Sequence, residues 1–454
     1  MIRFAALTLA LAAGLPMLLP QEPSFRPDRP FGTLREQAGI QQAWVKERVA
    51  VNLPKVMRDH GVDMWVVPMR EYNEDPVFRA LVAPTSFAAR RRTIYVFTDR
   101  GPEGGVELLA LGGGSQGGLY EAHRANLATS REGVQAELWG SSQWTLLADL
   151  IRQRDPRVIA VNISHEHNFA DGMTAGEWEQ MQAALGPELV GRVIPNPRLA
   201  IDYLALRVPG MTPVYRRMQA YVHEIIGAAF SSAVITPGVT STQEVVWWMR
   251  QRVHDLGFGT WFQPSVSIQR RGVKDDSLGA DPVIEPGDVL HTDFGITVMG
   301  LNTDTQHMGY VLREGETEAP AGLEQALDNS ARLQDILLEE MRVGRSGNEV
   351  LYSVLERMRA EGLNGTMYTH PIGDHGHGAG PLIGLWDRQE GVPGRGDVPV
   401  LANMWFSTEL QVTTPVPEWD GQPVRMMMEE EAEVTPSGDR RWALRRQTEL
   451  HLIN

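Results

Sequence analysis

Apolar positions change their period several times along this chain, and each change marks an element. Between Ala43 and His60 they recur at 44, 45, 49, 51, 53 and 56–57, the spacing of a helix with one buried face. Residues 63–68, 93–97, 106–111 and 158–163 are instead short, nearly continuous apolar runs, which is the pattern of buried strands. This alternation through residues 36–198 predicts an α/β layered domain. Prolines at 197, 209 and 213 mark a link, after which 214–232 is predicted as a long helix. Residues 283–312 are rich in strand formers, helices are predicted at 324–341 and 347–361, and further strands follow. The expected fold class is α+β, with a second domain over 199–454.

The N-terminus has its own pattern. Arg3 precedes an apolar run, Phe4 to Leu19, and a Pro- and Arg-rich stretch follows. The run predicts a signal peptide over 1–20 and a tether over 21–35, hence an exported protein, periplasmic or secreted. An uncleaved membrane anchor is the alternative, because no Ala-x-Ala motif stands at the cleavage position. Gly14 and Pro16 and the shortness of the run weigh against a spanning helix, and no later segment is apolar enough to be one.

Composition narrows the function. A length of 454 residues with 42% hydrophobic and 22% charged residues suits two globular domains. A net charge of −15 argues against nucleic acid as a partner. The absence of cysteine excludes disulfides, thiolate-bound zinc and thiol catalysis.

The candidate chemistry lies downstream. Asp293 and Asp304 stand eleven residues apart with Gly295 and Gly300 between them, so a hairpin would bring the two carboxylates together. Two anions at one point call for a cation between them. The segment 370–378, His-Pro-Ile-Gly-Asp-His-Gly-His-Gly, follows, then Glu409 and the acidic run from Glu429. This mixed oxygen and nitrogen set suits two divalent metal ions such as Mn²⁺, Zn²⁺ or Co²⁺.

The order Asp, Asp, His, Glu, Glu resembles the M24 metallopeptidases: methionine aminopeptidase, aminopeptidase P and prolidase. Glu285-Pro-Gly-Asp288, Asp293-Phe-Gly295, Asp304, the His/Gly-rich segment, Glu409 and Glu429 carry the resemblance, which covers roughly residues 200–454. It implies a C-terminal pita-bread catalytic domain, and residues 36–198 resemble the creatinase-type N-terminal α/β domain. It also implies a homodimer acting on peptides with proline in second position. By resemblance Asp293 binds one ion, Asp304 and Glu429 bridge both, His375 binds the other, and Glu409 is a ligand that relays a proton. His370 and His377 are then the catalytic imidazoles. The His-Gly-x-Gly signature fits either His375 or His377, and spacing favours His375. Glu431 is the alternative to Glu429. A turn at Thr236–Thr240 resembles the one that precedes the family's second helix, here 242–256, with Trp247 and Trp248 expected in its core.

Three departures bear on substrate handling. His370 stands five residues before His375 where the family has four; the stretch 272–278 lacks the usual histidine; and Trp386 stands where a second imidazole is usual. A metal-free amidinohydrolase like creatinase and a catalytically silent binding module are the competing readings. Retention of all five donor types speaks for the enzyme.

Overall fold

The computed structural model describes residues 29–123, 141–274 and 277–454, so the expected signal peptide and residues 21–28 of the expected tether lie outside the described residues. The rest of that tether is not loose. Phe31 packs against Tyr221 and Phe258 of the second domain at ring separations of 5.9 and 5.5 Å. Thr33 then starts helix Leu34–Glu47 through a capping box with Glu36. The expected helix over 43–60 is observed as the end of this helix, a π turn at Arg48–Asn52 and helix Leu53–Asp59. The π turn carries the buried Arg48.

The N-terminal sheet comprises β1 (Met64–Arg70), β2 (Arg92–Asp99), β3 (Val106–Leu111), β4 (Glu121–His123), β5 (Ile159–Val161) and β6 (Val193–Pro195). Their order is β4-β3-β2-β1-β5-β6. Alternation divides β1 between two cores. Trp65, Val67 and Met69 meet helices Leu53–Asp59 and Pro197–Ala205; Met64 and Val66 meet helices Ser141–Arg154 and Ala175–Val190. Both faces are covered, which is why these strands read as unbroken apolar runs.

The second domain wraps helices around curved sheets. β7 (Ser265–Gln269), β8 (Val289–Phe294) and β11 (Thr305–Val311) form an antiparallel set, with β9 (Thr297–Val298) and β10 (Leu301–Asn302) as a small hairpin between β8 and β11. On the other side lie β12 (Gly365–Met367), β13 (His370–Pro371), β14 (Met404–Ser407), β15 (Leu410–Val416), β16 (Gln422–Met428), β17 (Glu431–Val434) and β18 (Arg440–Trp442). The C-terminal strand β19 (His451–Ile453) pairs in parallel with β11. Helices Thr212–Ala229 and Thr242–Asp255 cover the first set; Ala321–Glu340 and Gly347–Ala360 cover the second. Trp248 packs on this core as expected, but Trp247 is 61% exposed. An isolated pairing of Gln306 with Glu429 ties the two sets together on their inner face.

A buried ion-pair triad joins the domains. Arg48 and Arg207 donate to the same oxygen of Asp374, at 2.6 and 2.9 Å. Burial opposes ionisation of that carboxyl, and the two guanidiniums overcome it, holding its pKa down at about 2. A cleft of about 750 Å³ opens beside the triad, between helix Leu34–Glu47 and the β9–β10 turn.

Candidate metal centre

The β8–β11 hairpin does what the eleven-residue spacing requires. In its register Asp293 lies opposite Gln306, and Phe294 opposite Thr305, so Asp304 falls just beyond the paired strand and beside Asp293. The return is tight: a Cβ on Gly295 would stand 2.1 Å from the Thr303 carbonyl oxygen, so only glycine fits there.

Three further strands complete the site. His370 on β13 pairs with Ser407 on β14. Glu409 follows β14, and Glu429 follows β16. Ligand atoms of Asp293, Asp304 and Glu429 converge in one group, and those of His370, Glu409 and Glu429 in a second, so Glu429 is common to both. His370 Nε2 lies 3.5 Å from Glu429 Oε1 and 3.7 Å from Asp304 Oδ2.

One expected ligand is corrected. His375 joins no such group; its ring packs on Phe169 of the N-terminal domain at 4.6 Å. The reason is backbone direction. His370 is still on a strand and points inward, whereas the chain reverses at Gly373 (φ 149°), where a side chain would strike the Arg207 guanidinium. His375 therefore faces the domain interface. His370, expected as an outer catalytic imidazole, instead brings its Nε2 among the converging donor atoms. His377 meets Asp304 and His370 in a third such group, its ring 4.7 Å from that of His370. Glu431 is likewise elsewhere: regular pairing breaks between β16 and β17, and its carboxylate accepts from the Asp304 backbone N–H at 2.7 Å.

The residues present fit a pair of cations. Asp293 Oδ1, Asp304 Oδ1 and His370 Nε2 are buried and have no hydrogen-bond partner among the described residues. The Nδ1–H of His370 donates to the Pro371 carbonyl at 3.0 Å, which leaves Nε2 with its lone pair toward the carboxylates. Burial, then repulsion from Glu429, pushes the Asp293 carboxyl up to about 8 and the Glu409 carboxyl up to about 10. Burial and the same neighbour raise Asp304 well above the carboxylate range. Several anions held this way in a dry site require either protons or cations.

Two residues that shape the site were not read from the sequence. The Gln306 amide N–H₂ donates to Glu409 Oε1 at 2.7 Å and to Glu429 Oε2 at 2.8 Å, orienting both. Its carbonyl oxygen lies 2.9 Å from His291 Nε2. Burial holds His291 down at about 4, so it stays neutral and donates that bond. The signal was present. His291 is two residues before Asp293, and Gln306 two after Asp304, so strand alternation places all four on one face.

The surroundings are mainly aromatic. Trp261 and Tyr368 pack on His377, with ring separations of 5.1 and 5.8 Å, and Trp386 meets Tyr368 at 6.3 Å. Burial, then His370, holds His377 down at about 4. Arg395 lies near Tyr368; its guanidinium is partly desolvated, which lowers its pKa, and forms no ion pair among the described residues.

Residues 216–436 match the model of metallopeptidase family M24. No curated protein matches the sequence. Among solved structures, the chain is similar to an X-Pro aminopeptidase from Thermotoga maritima, with 14% identity, a TM-score of 0.58, and 88% of this chain and 99% of that one covered. It is similar to an Xaa-Pro dipeptidase from Bacillus anthracis at 16% identity and TM-score 0.54, with 90% and 99% covered. It is also similar to the N-terminal domain of the FACT complex subunit SPT16 from chickpea at 11% identity and TM-score 0.56, with 92% and 99% covered. At these identities the likeness carries the two-domain pita-bread fold.

Proposed function

We propose that this chain, whose residues 216–436 belong to metallopeptidase family M24, is a two-ion peptidase that hydrolyses Xaa-Pro bonds at peptide N-termini. The observation that supports this is the convergence of five donor residues around three orphaned buried atoms. Asp293, Asp304 and Glu429 would hold one ion, and His370, Glu409 and Glu429 the other. Mn²⁺ is the first candidate, and Zn²⁺ and Co²⁺ suit the same donors. Such ions supply an activated water and polarise the scissile carbonyl.

The chain's own residues do the remainder. Glu409, whose carboxyl takes a proton readily, relays the proton of the attacking water to the leaving amine. His377 is uncharged at neutral pH and donates to the developing oxyanion. Tyr368, kept protonated by burial and the nearby Glu409 with its hydroxyl held up at about 12, is a second donor. Trp261, packed on His377, and Trp386, packed on Tyr368, offer apolar faces suited to a prolyl ring, and an X-Pro amide has no N–H that such faces would leave unpaired. Arg395, without an ion pair among the described residues, suits the C-terminal carboxylate of a short peptide. Export through residues 1–20 and assembly as a homodimer belong to the same reading.

The test is metal content and hydrolysis of Xaa-Pro dipeptides and longer peptides by purified protein with and without Mn²⁺, beside Asp304→Asn. About two ions at this centre, with cleavage lost in the variant, is the expected result. Metal without Xaa-Pro cleavage would refute the substrate, and no metal bound at this centre under any loading would refute the mechanism.

A further inference from the structure

Strand alternation builds a second cluster behind the first. Gln306 points to the inner face, so His307 points outward, beneath helix Thr212–Ala229; at the junction between β16 and β17 Glu430 joins it there, while Glu429 faces the paired centre. His223 of that helix, His307 of β11 and Glu430 meet there, all buried, with one ligand atom of each within 4.8 Å of the others. His223 Nε2 lies 3.0 Å from one Glu430 oxygen and His307 Nε2 lies 2.8 Å from the other. None of these residues belongs to the centre described above.

We propose that His223, His307 and Glu430 form a third cation site, separate from the paired centre and selective for an ion of the zinc class. Two imidazoles and one carboxylate are a set that Zn²⁺ takes readily and that Mg²⁺ or Ca²⁺ does not favour. Three further features fit. The carboxylate is buried with no Lys or Arg ion pair among the described residues, so its partners are imidazoles alone. His307 has the outer support that a metal-binding histidine needs: its Nδ1 lies 3.0 Å from His451 Nε2. In the metal-free arrangement each Nε2 carries its proton toward Glu430. For coordination each ring moves that proton to Nδ1; that of His307 is then donated to His451 Nε2, whose own proton moves to its Nδ1. No proton is gained or lost. Finally, the Gln447 backbone N–H donates to Glu430 at 3.0 Å and fixes the carboxylate.

The site would bind together elements distant in sequence. Helix Thr212–Ala229, β11 and the β16–β17 junction supply its ligands, and His451 opens the C-terminal strand β19. A bound ion would fasten that strand, whose one neighbour among the described strands is β11.

The experiment is zinc content of the full chain in an Asp304→Asn, Glu429→Gln background, which removes the paired centre. One zinc per chain retained there, and lost on adding His307→Gln or His223→Gln, is the expected result. A zinc-edge anomalous map of crystals of the unaltered protein is the check that needs no variant: a peak among His223, His307 and Glu430 supports the site. No retained zinc together with no such peak would overturn it and leave a hydrogen-bonded network. Retained zinc that survives both histidine variants would overturn it too, since the ion would lie elsewhere. The paired centre is judged separately: an unaltered protein holding a single zinc that is lost with His307→Gln would support this site and refute the other.

Discussion

Removing metal from the paired centre should invert the usual dependence of stability on pH. In the metal-free protein the folded state holds carboxyl protons that the unfolded chain has released, because Asp293 is raised to about 8, Glu409 to about 10, and Asp304 well above the ordinary range. A carboxyl raised on folding makes the folded state bind more protons than the unfolded state, so stability falls as pH rises between the unfolded and folded pKa values. The histidines His291 and His377, both held near 4, have the opposite slope. That slope ends near the unfolded histidine value of about 6.5. The window from about pH 6.5 to 8 therefore isolates the carboxyls. At about 1.4 kcal/mol per pH unit, each group that stays protonated loses about 2 kcal/mol across it. Glu409 alone gives that much. The assay is urea unfolding at both pH values, with a chelator and with saturating Mn²⁺. We expect the chelated protein to lose about 2 kcal/mol or more, and the loaded protein, whose carboxylates are ionised around the ions, to lose far less. A chelated protein equally stable at both pH values, or more stable at the higher one, would refute the reasoning.

Other outcomes follow from the same geometry. His370→Ala should lose one of the paired ions and activity together, whereas His375→Ala should keep both; equal loss of metal in the two would contradict the assignment. Gln306→Leu should lower metal affinity or kcat by about 10–100-fold, as outer-shell changes do, read by titration with Mn²⁺ and by steady-state kinetics. Asp374→Asn should cost about 3 kcal/mol, since Arg48 and Arg207 would be left buried without a counter-charge. In the unaltered protein the Asp374 contribution is present above the unfolded value of about 3.9 and lost as pH falls toward 2. Acid unfolding at higher pH in the unaltered protein than in Asp374→Asn would refute this.

Much was determined by the sequence alone. Buried strands declared themselves as apolar runs because both faces of the N-terminal sheet are covered, and the pairing of Asp293 with Asp304 was set by a hairpin of fixed length. Capping boxes such as Ser241 with Glu244 and Ser346 with Glu349 fixed helix starts within one turn. Alternation on short strands even held His291 and Gln306 in view, two residues from each aspartate.

What the tertiary structure decided was which way irregular backbone points. His370, His375 and His377 sit within eight residues, and their spacing could not say that the first remains on β13 while the second turns toward Phe169. Of the three consecutive glutamates, Glu429 meets the paired centre, Glu430 meets His223 and His307, and Glu431 meets the Asp304 backbone. The two-residue period that would separate them fails where β16 ends and β17 begins. Period is a property of regular backbone, and the side chains that carry chemistry here stand where that regularity stops, so their directions come from packing between elements far apart in the chain.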